Sequence, residues 1–386
     1  MRNPYDVVVV GAGLAGLECA RRLGESGFRT LLLDRKPAVT CAVSTTGIFV
    51  RRTLEDFDLP ATDLGPAIRD VALYSPARRV LRFHSERDEF RIGRMIPLYS
   101  HYLERCCRAG VQFLSGARFC GFSPGPQLSA VQIELDGLAF SIFTRFVVGA
   151  DGARSCVARH LGLDRNRKFV AGYEEVWRGV SFESPPSLHC FLDPLLAPGY
   201  LAWVAHDGEE THIGVGGYLH RFPPVRALES FCRNLPQGMS LQRATRVAQR
   251  GGLVPVGGVL PRIANSHGLL VGDAAGAPSP LTAGGLDACL RLSGHAANVM
   301  AAYLTSRDPV VLNAYSGARF RARFFSRLWM RRLFATAQSA WPLELAVMLL
   351  RLPLLSGFAR HIYFGRGSFP DVEPLPLPHP ALQTLR

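Results

Sequence analysis

Asp6-Val-Val-Val-Val-Gly11-Ala-Gly13-Leu-Ala-Gly16 is the stretch that decides the fold. Four valines in a row read as a strand buried on both faces. Leu14, Leu17, Ala20 and Leu23 then recur at helical spacing up to Gly27, and Arg29-Thr-Leu-Leu-Leu-Asp34 reads as a second strand. Together they make one βαβ unit. Gly11 permits the tight turn, Gly13 lets a pyrophosphate approach the backbone, and Gly16 lets helix and strand pack closely. The helix N-terminus offers amide donors and positive potential to an anion. Asp34 ends the second strand, where a carboxylate can bind ribose hydroxyls. The reading is a dinucleotide site, and the motif alone does not choose between NAD and FAD.

Two later segments narrow that choice. Phe146-Val-Val-Gly-Ala-Asp151-Gly152-Ala-Arg154-Ser155 reads as a strand ending in Asp-Gly and entering a helix from Val157 to Leu161. Gly268-Leu-Leu-Val-Gly272-Asp273-Ala-Ala-Gly276 is another strand ending in Gly-Asp. Pro278, Pro280 and Gly284-Gly285 follow, opening a long apolar helix from Leu286 to about Leu304. Acids such as Asp151 and Asp273, at strand ends beside the first βαβ, can bind a flavin's ribityl hydroxyls. Amides of Gly284 and Gly285 at a helix start can face the electron-rich edge of the isoalloxazine.

In this order, the three motifs resemble those of the FAD enzymes of the p-hydroxybenzoate hydroxylase fold, over residues 5–305. That group includes aromatic hydroxylases, flavin halogenases and geranylgeranyl reductases. The resemblance implies FAD as cofactor. It implies Gly11, Gly13 and Gly16 at the pyrophosphate, and Asp34 with Arg35 at the adenosine end. It implies Gly272 and Asp273 at the ribityl chain, with Pro280, Gly284 and Gly285 near the ring. It also suggests Arg94, before a helix from Arg94 to Leu103, as a further FAD contact.

Pro198-Gly199-Tyr200-Leu-Ala-Trp203-Val resembles the Gly-Tyr-x-x-Trp strand of the geranylgeranyl reductases, and Thr211–Gly217 resembles the strand after it. Asp207-Gly208 between them suits a hairpin. Cys41 stands where the reductases carry Cys-Gly-Gly, but Ala42 and Val43 replace the glycines here. A thiol there can give a proton to a carbon receiving hydride, or simply fill the loop after the second strand. A spacing of three puts Tyr200 and Trp203 on opposite faces of a strand. One of them then lines a substrate cavity, or both pack in a core. His206 and His212 read as turn and surface residues. The leading reading is reduction of an isoprenoid C=C bond by reduced flavin, with a monooxygenase acting on an apolar substrate as the alternative. A halogenase would need a lysine near the flavin, and no lysine lies between Lys36 and Lys168. A redox-neutral cyclase and a flavin carrier are weaker alternatives. No second glycine motif marks an NADPH domain, so NADPH binding transiently or a ferredoxin would supply electrons.

With 386 residues, 48% hydrophobic and 19% charged, disorder and collagen-like structure are excluded. The expected class is α/β: a Rossmann-type FAD domain, an inserted antiparallel β-sheet substrate domain and a C-terminal helical segment. The FAD domain is expected over residues 1–68, 92–168 and 250–314. The substrate domain is expected over 69–91 and 169–249, and the C-terminal segment over 315–386. Nine scattered cysteines with no CxxC argue against a disulfide framework and a metal site. The net charge of +13 is concentrated late in the chain: Tyr315 to Arg366 holds nine arginines and one acid, Glu344. Arg319, Arg323, Arg327 and Arg331 recur every four residues, predicting one stripe down a helix. Phe324, Phe325, Leu328, Leu333 and Phe334 are expected to form part of an apolar face. Arginines mixed with large apolar groups suit an anionic membrane surface, or a basic face packed on the main body; nucleic acid is not expected. The picture is a cytoplasmic protein, peripheral on a membrane, acting on a hydrophobic small molecule. Glu373 to Pro380 reads as an extended proline-rich tail.

Overall fold

The computed structural model describes residues 3–182, 186–221, 223–337 and 339–365. The proline-rich tail lies outside the described residues. The valine run forms strand Tyr5–Val10 at the centre of an eight-stranded sheet. Strands Gly268–Leu270, Leu138–Gly149, Tyr5–Val10, Thr30–Asp34 and Gln112–Ser115 lie side by side in that order, each parallel to its neighbours. Val9 sits between Val148 and Leu32, and all three are fully buried. A parallel sheet needs helical crossovers on its faces. Helix Leu14–Glu25 supplies the first, and helices Met95–Arg108 and Leu286–Ser306 pack against it. Strand Leu138–Gly149 has two characters. Its inner half is buried in the parallel sheet, while its outer half pairs antiparallel with Ser129–Leu135 and exposes Leu138, Phe140 and Phe143.

The second sheet has seven strands in the order Thr245–Pro255, Phe169–Arg178, Glu210–Gly217, Ala202–His206, Ser187–Phe191, Asp70–Tyr74 and Val80–His84. All pairs are antiparallel except Ser187–Phe191 with Asp70–Tyr74. The expected boundary between 249 and 250 is corrected: strand Thr245–Pro255 runs through it. One face of this sheet, carrying Ala72, Phe191, Val204 and Ile213, packs on helix Pro224–Arg233 through Leu228 and Phe231. The opposite face, carrying Val71, Leu73, Cys190 and Ala205, meets Val347 and Tyr363 of the C-terminal helices.

Those helices are Gly317–Ala322, Phe325–Thr336, Ala340–Leu349 and Pro353–Phe364. They dock on the second sheet: Glu344 accepts from Ser75 Oγ and the Ala77 amide, each at 3.0 Å, and Arg351 donates to the Val80 carbonyl. The expected single arginine stripe is corrected. The chain turns at Arg323–Phe324, where Phe324 is buried in the main core, so the stripe is split between two helices. Arg319 and Arg323 face outward, Arg327 is half-buried and Arg331 is buried. The expected apolar face divides likewise. Phe324 is buried and Leu328 and Phe334 are partly buried, whereas Phe325 and Leu333 are exposed. Among the described residues, no helix is long and apolar enough to cross a membrane.

Candidate active site

The glycine loop is shaped by close backbone contacts. Gly11 has φ +106°, and a Cβ there would meet the Ala150 carbonyl oxygen at 2.4 Å; one on Gly16 would meet the Gly11 carbonyl oxygen at 1.8 Å. A Cβ on Gly13 would meet nothing within 4 Å, so this position opens to a ligand. Gly13 also starts helix Leu14–Glu25, which has no side-chain cap and no acid in its first turn. Its leading amides and positive end are therefore available to an anion. Asp34 is buried; its Oδ2 accepts from the Ala12 amide at 2.7 Å and its Oδ1 from the Lys36 amide at 2.8 Å. It braces the loop and keeps lone pairs for a ribose. Arg35 is exposed beside it.

The two strand-end acids differ. Asp151 spends both oxygens on its own chain, accepting from Ser155 Oγ at 2.6 Å and from the Cys156 and Val157 amides at 2.6 and 3.1 Å. It thereby holds the first turn of the short helix Cys156–His160, whose N-cap is Ser155, while Oδ1 keeps a lone pair free. The Asp273 carboxylate has no hydrogen-bond partner among the described residues, and burial pushes its pKa up to about 6. Gly272 precedes it; Pro280 is buried, while Gly284 is exposed and Gly285 half-buried at the start of helix Leu286–Ser306. An open glycine position, an uncapped helix N-terminus and an orphaned carboxylate fit a bound dinucleotide with a polyhydroxyl linker. Arg94 pairs at 2.9 Å with Glu209 of the Asp207–Glu210 hairpin, and its Nε has no hydrogen-bond partner among the described residues.

On the second sheet, Tyr200 precedes strand Ala202–His206 rather than lying in it. The expectation of opposite faces is therefore corrected: the Tyr200 and Trp203 rings meet edge to face, 6.5 Å apart. Both lie over glycines of the neighbouring strand. A Cβ on Gly214 would strike the Trp203 indole at 2.2 Å, and one on Gly216 the Tyr200 ring at 2.4 Å. The missing side chain at Gly214 lets Trp203 reach across to strand Phe169–Arg178, where its Nε1 donates to Glu174 Oε2 at 3.0 Å. The Tyr200 hydroxyl donates to the Thr282 carbonyl, in the segment that leads to Gly284.

Glu174 is the centre of a buried network that sequence reasoning missed. It also accepts from Thr46 Oγ1 and from His212 Nδ1 at 3.2 Å, and it pairs with Arg250 at 3.4 Å. His212 Nε2 lies 3.3 Å from Asp207 Oδ2. His212, expected at the surface, is 2% exposed, which overturns that expectation. Its place inside follows from strand alternation, which puts it on the Trp203 face opposite Ala205. Burial alone would disfavour the imidazolium, but the hydrogen bonds with Asp207 and Glu174 win and raise its pKa to about 9. Burial likewise works against the Asp207 carboxylate, yet His212 and the Glu210 and Glu209 amides hold it down at about 2. The same bonds keep Glu174 below its ordinary range despite burial. His206 is half-buried and bonds Thr211 at 3.1 Å.

Thr46 belongs to the loop that carries Cys41, and Arg250 fixes this loop further by donating to the Thr45 carbonyl at 2.7 Å. The network thus ties the Cys41 loop to the Trp203 face. Cys41 is free and half-buried. Ala42, in the position of a family glycine, has φ +50°, the left-handed conformation that glycine adopts freely. The loop keeps a glycine-like backbone without the glycine.

Arg331 lies 5.9 Å from the Tyr200 ring centre and 5.0 Å from that of Tyr218. Among the described residues, none of its guanidinium nitrogens has a hydrogen-bond partner. Each ring offsets about 0.5–2 kcal/mol, against a desolvation penalty of about several kcal/mol for a buried ion.

A family model described as FAD binding domain matches residues 6–78. The chain is 31% identical over 308 residues to digeranylgeranylglycerophospholipid reductase 1 of Methanopyrus kandleri, covering 76% of this chain and 80% of that protein. It is 28% identical over 299 residues to the digeranylgeranylglycerophospholipid reductase of Methanocaldococcus jannaschii, covering 74% of each. Among solved structures, a geranylgeranyl bacteriochlorophyll reductase-like protein of Thermoplasma acidophilum superposes with a TM-score of 0.83. That match covers 95% of this chain and 98% of the other at 21% identity, a likeness of fold.

Proposed function

Because the chain belongs to the geranylgeranyl reductase family of FAD-dependent oxidoreductases, we propose that it reduces carbon–carbon double bonds of an isoprenoid substrate. One observation carries this reading: the Tyr200–Trp203 pair opens a row across one sheet face that is apolar beyond it. Trp203 pairs with Cys190, Cys190 with Leu73 and Leu73 with Leu81. Val71 and Ala205 lie on the same face, and Val347 and Tyr363 of the C-terminal helices pack over it. An apolar seam between the sheet and the C-terminal helices suits a hydrocarbon chain, which would enter by parting those helices from the sheet. It offers little to a small polar aromatic.

When bound, FAD supplies hydride chemistry. The chain's own residues bind and orient it. The Gly11–Gly13 turn and its helix N-terminus take the diphosphate, Asp34 the ribose and Asp273 the ribityl hydroxyls. Gly284 and Gly285, ahead of helix Leu286–Ser306, would offer the ring the positive end of that helix. Tyr200 and Trp203 position the substrate chain. Reduction of a double bond also needs a proton, and we assign it to Cys41 Sγ, which its partial exposure lets solvent resupply. Electrons come from NADPH docking transiently or from a ferredoxin. The exposed Phe325, Trp329, Trp341 and Met348, with outward Arg319 and Arg332, support peripheral docking on an anionic membrane.

The test is anaerobic. Photoreduced holoenzyme mixed with geranylgeranyl diphosphate should reoxidise without O₂, and Cys41→Ser should slow that step by about a hundredfold while leaving flavin reduction alone. Reoxidation that strictly requires O₂ would replace the reductase by a monooxygenase.

A further inference from the structure

Arg331 is 4% exposed, and its Nε, Nη1 and Nη2 all lack a hydrogen-bond partner among the described residues. A guanidinium does not shed its proton in a protein, so the charge stays. No carboxylate among the described residues pairs with it. Its neighbours are two ring faces, and the Tyr218 ring also has Arg221 at 5.4 Å and the His220 ring stacked at 5.7 Å. Two guanidiniums thus meet on this ring, with no anion among the described residues paired to Arg331. The place is not remote from the chemistry: Tyr200, under Arg331, bonds the Thr282 carbonyl and touches Trp203 edge to face. The diphosphate of a dinucleotide already has the glycine loop and an uncapped helix for its charge.

We propose that Arg331, backed by Arg221 across Tyr218, is a recognition site for a phosphate or diphosphate ester, the anionic head of an isoprenoid substrate. The planar fork matches two phosphate oxygens at once. An arriving anion would complete the orphaned donors, so binding would gain from a charge the free protein leaves uncompensated. The substrate is then amphiphilic: its head sits at Arg331 and its chain runs from Trp203 into the seam between the sheet and the C-terminal helices. This deepens the reductase reading and rests on it for the identity of the chain. It also separates Arg331 from the outward Arg319 and Arg332, whose place suits a bilayer surface.

The FAD-loaded enzyme and its Arg331→Met variant test this. Methionine keeps an apolar stem and removes the uncompensated charge, so the variant should melt higher than wild type without added anion. Inorganic pyrophosphate should raise the melting temperature of wild type and not of the variant. The KM for geranylgeranyl diphosphate should rise about tenfold or more, while that for geranylgeraniol stays within about twofold and FAD remains bound. Binding to phosphatidylglycerol vesicles should survive Arg331→Met and weaken in Arg319→Gln/Arg332→Gln. A variant that melts lower and still responds to pyrophosphate would reduce Arg331 to packing and overturn the proposal. Loss of FAD would reassign the guanidinium to the cofactor, and loss of vesicle binding to a bilayer headgroup; either overturns it. If Arg331→Met does not fold, Arg331→Lys serves. It keeps the charge but not the fork, and an unchanged KM for the diphosphate would overturn the assignment. If neither isoprenoid reoxidises the reduced enzyme, the reductase reading falls, and the pyrophosphate melting comparison still decides for Arg331.

Discussion

The nucleotide half and the substrate sheet solve the same problem, presenting a surface to a ligand, in opposite ways. In the nucleotide half the backbone does the work: Gly11 and Gly16 are pressed against carbonyls, a helix begins uncapped at Gly13, and the Asp273 carboxylate has no partner among the described residues. In the substrate sheet, buried charged side chains do it. Glu174 alone serves Thr46, Trp203, His212 and Arg250. A backbone-built site should tolerate side-chain loss and lose only its ligand. A site built on a buried ionic network should lose its fold first.

The largest effect is therefore expected at Glu174. Glu174→Ala leaves His212 and Arg250 without their shared acceptor and should cost about 3–5 kcal/mol in urea unfolding. A loss below about 1 kcal/mol would mean that the two halves are not built differently.

The next effect is a pH dependence. His212 has a folded pKa of about 9 against an ordinary 6.5. Its stabilisation is complete below about pH 6.5 and drains away as pH rises toward 9, about 3 kcal/mol in all. Asp207, held at about 2 against 3.8, acts on the other side: its contribution is present above about pH 3.8 and lost as pH falls toward 2. Unfolding measured from pH 6 to 9 should show the alkaline decline in wild type and a much flatter curve in His212→Gln. Equal slopes would remove the imidazolium from the network.

In the nucleotide half, Asp273→Ala should weaken FAD binding by about 1–3 kcal/mol with little change in urea midpoint, and Asp34→Ala should weaken it less. Titration of the apoprotein with FAD checks both. Unaltered affinity in both variants would sink the site assignment. The smallest effect is expected at Ala42, where glycine should relieve the strain of φ +50° and raise stability by at most about 1 kcal/mol.

The same contrast explains what could be read in the chain. The glycine loop, the strand ends at Asp151 and Asp273 and the helix at Leu286 are local patterns in which neighbours in sequence are neighbours in space. The fold class followed from them. The hydrogen bonds of Asp151 to its own helix did not, because they depend on side-chain direction. Thr46, Glu174, Trp203, His212 and Arg250 come from separate segments and meet only once the strands pair. One signal was present: alternation along Thr211–Gly217 puts His212, Gly214 and Gly216 on one face, a polar group beside two gaps for rings. Helical spacing likewise predicted a continuous arginine stripe, but could not foresee the turn at Arg323–Phe324 that sends Arg331 inward.

The most direct test of the central claim is the mass of the product formed by holoenzyme, a reductant and geranylgeranyl diphosphate under anaerobic conditions. The account predicts a product heavier by two hydrogen atoms for each double bond reduced. No product without O₂, and a product heavier by one oxygen atom when O₂ is admitted, would contradict it.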